Sequence, residues 1–175
     1  MSANKIKKRI FLDTTALISL ITPTREFHNR IAAYLKNEDA LLCFDTVVLS
    51  EVLVGMKTDR EREIMMRSCL SQFEVAVYDS RCATVCADVF AHLKAKGQVP
   101  RGGAERQFTK VDVMILASAI VSQVDEFLYE DKFFDQVTNL LSDSNYSEKL
   151  PSFKRLSMLQ VQMVQAEIPG LAVDC

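Results

Sequence analysis

Short apolar runs alternate with longer stretches of helical spacing along this chain. Lys8–Leu12 is short, apolar and rich in β-formers, which predicts a strand. Thr14–Ile21 follows with Leu17, Leu20 and Ile21 at helical spacing, and Thr22-Pro23-Thr24 breaks it. Arg25–Asn37 places Phe27, Ile31, Tyr34 and Leu35 on one helical face. Leu41–Phe44 predicts a second strand, after which Asp45 or Thr46 can cap a helix over Val47–Met56. Asp59–Gln72 is a charged helix with Ile64, Met65 and Leu70 expected on its buried side. Glu74–Tyr78 is a third strand, and Asp79 or Ser80 caps a long helix ending near Gly97. Gly97–Thr109, with Pro100, Gly102 and Gly103, is expected to be a long loop, of a length that invites a functional role. Lys110–Val124 is an apolar helix, Glu126–Tyr129 a fourth strand and Phe133–Leu141 a further helix. Asp143–Pro151 is a polar connection, and Leu156–Met163 is expected to be the last strand.

Strands that alternate with helices predict a mostly parallel sheet between two helix layers, a three-layer α/β/α fold. Ligands of such sheets bind beyond the carboxyl ends of the strands. Asp13 directly follows the first strand and Asp131 lies two residues past the fourth. Glu51 lies in the second turn of the helix leaving the second strand. Asp112 opens the helix that feeds the fourth strand; that helix runs against the strands, so its start lies at the same edge. Four carboxylates from remote segments are therefore expected to converge. Any one of them alone has an ordinary reading as a cap, a turn residue or a helix-start acid favoured by the dipole.

The chain has 175 residues, enough for one well-buried core and short for two. The expected organisation is a single domain over 1–175, with a core at about 8–163 and a tail at 164–175. Its net charge of −2 and its 49% hydrophobic content exclude a disordered chain and a chain that is basic throughout. The longest uncharged runs have 11 or 12 residues, short of the ~18 that suggest a membrane span. The apolar run behind the basic N-terminus stops at Asp13, which is too early for a signal-peptide core, so a cytoplasmic protein is expected. Five cysteines without a Cys-x-x-Cys spacing, and two distant histidines, His28 and His92, give no zinc framework.

Converging carboxylates repel one another unless some protonate or a cation joins them. All-oxygen ligands suit Mg²⁺ or Mn²⁺, which activate a bound water and neutralise phosphate charge. Hydrolysis of a phosphodiester is the reaction this set implies. Competing signatures are missing: Gly102-Gly103 lacks the Gly-Lys-Ser/Thr ending of a phosphate loop, and there is no Gly-x-Ser-x-Gly. A haloacid-dehalogenase-like site would want an acid at Thr15, and a receiver domain an acid pair near Asp13. Asp79 sits where a receiver carries its phosphorylated acid, but it is better read as a helix cap. Positive charge for a nucleic acid is concentrated in Lys94–Lys110, which carries Lys94, Lys96, Arg101, Arg106 and Lys110 against Glu105. Arg101, Arg106 and Lys110 are the candidates for gripping an RNA backbone.

Four blocks carry a family resemblance. They are Arg9-Ile-Phe-Leu-Asp13-Thr-Thr-Ala-Leu-Ile-Ser19, Asp45-Thr-Val-Val-Leu-Ser-Glu51-Val-Leu-Val-Gly55, Lys110-Val-Asp112-Val-Met-Ile-Leu-Ala-Ser-Ala119 and Phe127-Leu-Tyr-Glu-Asp131-Lys-Phe-Phe134. In this order, with an acid in each expected slot, they resemble the PIN domain, and they span nearly the whole chain. The resemblance implies a metal-dependent nuclease in which Asp13, Glu51, Asp112 and Asp131 are the metal-binding and catalytic acids. It is similar in particular to VapC-like toxins, which implies RNA cleavage, a homodimer and silencing by a cognate antitoxin. The rival from another class is a PIN-like module that binds RNA or protein without cutting. Two positions depart from the family pattern: Thr15 stands where Asn is common, and Tyr129 where Thr or Ser is frequent. A tyrosine there is expected to crowd the metal position or to stack on a base.

Overall fold

The computed structural model describes residues 7–36, 38–99 and 103–159, with backbone only for 103–108. Five strands form one sheet: β1 (Lys8–Leu12), β2 (Ala40–Asp45), β3 (Glu74–Ala76), β4 (Glu126–Tyr129) and β5 (Ser152–Arg155). Their order is β3-β2-β1-β4-β5, and every pair is parallel. Among the described residues seven α-helices surround the sheet and complete the three-layer α/β/α architecture. They are α1 (Thr14–Ile21), α2 (His28–Lys36), α3 (Thr46–Val54), α4 (Asp59–Gln72), α5 (Ser80–Ala95), α6 (Gly103–Val121) and α7 (Lys132–Leu140).

β1 is the middle strand and is covered on both faces, so Ile10, Phe11 and Leu12 are all fully buried. β2 and β4 flank it, with Phe11 in register with Cys43 on one side and with Phe127 on the other. The Phe11 and Phe127 rings stack at 5.4 Å, and Phe127 also meets Phe134 at 4.8 Å and Phe153 at 5.4 Å. This aromatic column ties β1, β4, α7 and β5 together. The chain leaves β1 toward β2 on one side, while β4 occupies the other. Beyond the carboxyl ends of β1 and β4 the connections therefore part and open a crevice.

Three sequence expectations need correction. The last strand is β5 at Ser152–Arg155, and Leu156–Met158 forms a 3₁₀ turn instead of opening a strand. An edge strand needs few apolar residues, so Ser152-Phe153-Lys154-Arg155 pairs with β4 while the apolar run after it does not. The expected loop over Gly97–Thr109 is shorter, because α6 begins at Gly103; Ala104, Glu105, Arg106 and Gln107 are all good helix formers. On α4 the buried side is Cys69 with half-buried Met65, whereas Ile64 and Leu70 are exposed at 59% and 57%. Helix α4 lies at the rim against α3 and β3, so only a narrow stripe of it is covered. Smaller differences are the later start of α2 at His28 and the end of β3 at Ala76. No described helix is long and apolar enough to cross a membrane. Residues 160–175, including the expected end of the last strand and the tail, lie outside the described residues.

Truncating Phe127 removes the centre of the aromatic column. Phe127→Ala is expected to cost about 3–5 kcal/mol, read as a lower urea midpoint at unchanged slope. A loss below about 1 kcal/mol would contradict the packing described.

Candidate active site

Asp13 ends β1 and caps α1. Its backbone N–H donates to Leu128 O at 3.0 Å, which carries the β1–β4 ladder one residue further. Its Oδ1 accepts from the Ala16 N–H at 2.6 Å, and its Oδ2 accepts from the Glu130 N–H at 3.3 Å. The side chain is thus held by two backbone donors, one from α1 and one from the turn after β4. Only 4% of Asp13 is exposed. Burial, outweighing these two donors, pushes its carboxyl up to about 7, and the charges of Asp131 and Asp112 add to the rise.

Asp131 stands on that same turn. It caps α7 by accepting from the Phe133 N–H at 2.7 Å, and it is exposed at the rim. Asp112 lies on α6, half-buried. Burial pushes it up to about 7, reinforced by the charges of Asp131 and Glu51. Glu51 lies on α3 and accepts a hydrogen bond from the Thr14 hydroxyl. All four acids line one cleft of about 260 Å³, together with Thr14 and Thr15. The predicted convergence is therefore present. The side chains line a shared space without closing on one point: among the described residues no three metal-binding groups are gathered tightly enough to hold an ion as they stand.

The residue that caps α3, the helix carrying Glu51, is Asp45. It is fully buried, and its Oδ1 accepts from the Val48 N–H at 2.8 Å. Among the described residues its Oδ2 meets no donor in hydrogen-bonding geometry. The Ser118 hydroxyl lies near enough to offset part of the cost but donates to Met114 O at 3.3 Å. Burial is the main cause that pushes Asp45 up to about 6. The Glu130 backbone donor is a part of the site that sequence reasoning missed, whereas Asp45 caps α3 and does not line the cleft. Capping marked Asp45 as structural only, and no linear pattern pairs Glu130 with Asp13, 117 positions away.

The candidate RNA-gripping residues are placed less completely. Arg101 lies outside the described residues, and so does the side chain of Arg106, whose backbone is in α6. Lys110 is exposed and lines a separate, mostly apolar cleft between α5 and α6 together with Lys94. Tyr129 does not enter the acid cleft. It is buried among Phe127, Phe134 and Phe153, and its hydroxyl donates to Asp135 Oδ1 at 2.9 Å. Thr15, the other departure, does line the cleft and is exposed. The two histidines serve elsewhere: His28 Nδ1 lies 3.1 Å from Ser19 O, and His92 Nε2 lies 3.1 Å from both Leu140 O and Asp143. Asp79 caps α5, through Oδ1 to the Arg81 and Cys82 N–H groups.

Solved structures share this fold at low sequence identity. VapBC-1 from nontypeable Haemophilus influenzae matches with a TM-score of 0.59 at 13% identity, over 85% of this chain and 98% of that one. VapBC2 from Rickettsia felis, bound to a DNA fragment from its promoter, matches with a TM-score of 0.58 at 17% identity, over 84% and 98%. FitAcB from Neisseria gonorrhoeae matches with a TM-score of 0.57 at 16% identity, over 86% and 99%. No curated protein matches the sequence. The PIN domain family model matches residues 10–140, which include all four acids of the cleft and most of the chain. The chain belongs to the PIN domain family.

Proposed function

We propose that this protein is a metal-dependent endoribonuclease that hydrolyses RNA phosphodiester bonds, the toxin of a toxin–antitoxin pair. The observation that carries the reading is the gathering of Asp13, Glu51, Asp112 and Asp131, from four remote segments, on one cleft of a PIN domain. The donor set fits Mg²⁺ or Mn²⁺: every ligand is a carboxylate oxygen, and burial, reinforced by the neighbouring acids, already favours neutralising Asp13 and Asp112. Asp13, Glu51, Asp112 and Asp131 would hold the ion. When bound, it supplies an activated water and charge neutralisation at the phosphate.

The chain's own residues divide the remaining work. Asp13, the most buried acid and fixed by two backbone donors, is the rigid anchor of the set. Thr14 holds Glu51 in one orientation through its hydroxyl. Asp131 and Glu51 stand at the exposed rim, where a backbone phosphate enters. Arg101, Arg106 and Lys110 are proposed to hold the flanking RNA backbone. As the resemblance to VapC-like toxins implies, the protein is proposed to act as a homodimer in the cytoplasm under a cognate antitoxin.

Incubation of a mixed-sequence single-stranded RNA with Mg²⁺ or Mn²⁺ is expected to give cleavage that EDTA abolishes. Asp112→Asn should reduce the rate by about 10²-fold or more. A folded sample that cuts with neither metal would displace the enzyme reading in favour of a binding module.

Metal binding is also expected to register without RNA. Mn²⁺ at about 100 times its dissociation constant should stabilise the fold by about 2.7 kcal/mol, a rise in Tm of about 5–10 °C, and Asp13→Asn should blunt it. A wild-type Tm indifferent to metal would contradict a carboxylate cation site.

Arg101→Ala combined with Arg106→Ala should weaken RNA binding and flatten its salt dependence, lowering the log–log slope by about 1.4. An unchanged slope would remove these two residues from the interface.

A further inference from the structure

The turn that carries Asp131 is bound from behind by a network that the acid cleft itself does not contain. Glu130 lies between Tyr129 and Asp131 and would be a fifth carboxylate beside the cleft. Its side chain is instead engaged on the other side. Oε1 accepts from Arg155 Nε at 3.0 Å and from the Ser157 hydroxyl at 3.0 Å, and Oε2 accepts from the Ser157 N–H at 2.9 Å. Arg155 Nη1 also donates to Asp135 Oδ2 at 2.8 Å, and the other oxygen of Asp135 takes the Tyr129 hydroxyl. Ser157 is held in turn, since its carbonyl accepts from Arg30 on α2 at 2.6 Å. Glu130 and Arg155 are each about one-fifth exposed, so the pair is largely shielded from water.

One guanidinium therefore serves two carboxylates, from the β4–α7 turn and from the first turn of α7. Its planar fork suits this double engagement; a lysine ammonium would not reproduce it. The backbone of the same Glu130 donates to Asp13 Oδ2. Fixing the Glu130 side chain thus fixes the N–H that orients Asp13, and it fixes the start of Asp131.

Resting on the nuclease reading above, we propose that Arg155 is a positioning residue for the acid cleft: by clamping Glu130 and Asp135 it keeps a fifth carboxylate out of the cleft and sets Asp13 and Asp131 in place. Tyr129 belongs to this clamp through Asp135, which gives the departure from the family pattern a use. Loss of groups that orient metal ligands commonly costs 10–100-fold in metal affinity or activity.

The test compares wild type with Arg155→Met, Arg155→Lys and the double variant Glu130→Gln/Arg155→Met. The first readout is amide exchange at Glu130, which needs neither metal nor RNA. Exchange there should quicken by about 10-fold or more in Arg155→Met while the amides of β1 keep their protection. The second is Mn²⁺ affinity from the Tm shift. It should fall by about 10–100-fold in Arg155→Met, less in Arg155→Lys, and recover in part in the double variant, where no free carboxylate remains at position 130 but the Glu130 N–H is still unclamped. In RNA cleavage kcat should fall while KM stays within about 2-fold. Arg155→Lys is the milder change and keeps a cation at the position should Arg155→Met not fold. Unchanged exchange at Glu130, or Mn²⁺ affinity within 2-fold of wild type in both single variants, would overturn the clamp and leave the nuclease reading standing. A Tm loss equal with and without Mn²⁺, and not recovered in the double variant, would make Arg155 structural only and overturn it too. A wild type without metal response or cleavage would overturn the nuclease reading and the site role with it.

Discussion

The structure turns on the carboxylate of Asp13, which is buried at the end of a fully buried strand and tied by two backbone amides. One amide belongs to α1 and the other to the turn between β4 and α7. The strand cannot move, because Ile10, Phe11 and Leu12 are packed on both sides and paired with β2 and β4. Asp13 therefore transmits the position of the sheet centre to the two elements that bring Thr14 and Asp131 to the cleft. The aromatic column around Phe127 performs the same service one layer below, joining β1 and β4 to α7 and β5. The crevice at this switch in strand order exists because the chain departs from β1 and β4 in opposite directions.

Stability alone does not explain that carboxylate. Moving a carboxyl from its ordinary 3.8 to about 7 corresponds to about 4 kcal/mol against its ionised form. A helix cap is worth about 1 kcal/mol, and a serine or threonine would supply it without a charge. Asp112 is disfavoured to a similar degree, and there the neighbouring acids contribute as well as burial. Two disfavoured acids in one cleft, both relieved by a positive charge, make an arrangement that is uneconomical when empty and favourable around a cation. That asymmetry supports the cation site proposed above.

Much of this was legible in the sequence because the relevant signals are local. β1, α1, α4 and β4 fall where apolar period and caps put them, and Asp13, Glu51 and Asp131 follow from strand and helix ends, whereas Asp112 reaches the cleft from the middle of α6 and not from its first turn as expected. The misplaced parts have different physics. β5 is an edge strand that buries chiefly Phe153, so its neighbour Leu156–Met163 gave the louder apolar signal. The start of α6 was hidden by Gly102-Gly103, although the residues that follow favour a helix. Ile64 and Leu70 obey helical spacing, but among the described residues no neighbouring element covers them at the rim. The clamp around Glu130 was out of reach for another reason: its partners are 25 and 27 positions away, and only the fold decides which arginine meets which acid.

Tyr129 shows how such a departure is absorbed. Placed beside the last acid of the cleft, a large ring has two directions available, into the crevice or into the core. In a strand, neighbouring side chains point to opposite faces, so Tyr129 shares the face of Phe127 and lies opposite Leu128. It joins Phe127, Phe134 and Phe153, where burial of the ring is favourable. The hydroxyl then requires a partner, which Asp135 provides, and Asp135 requires a cation, which Arg155 provides. Each link answers the polar group left by the one before it. The chain of requirements ends on a guanidinium that also holds Glu130, so a substitution that begins as core packing reaches back to the turn beneath Asp13 and Asp131.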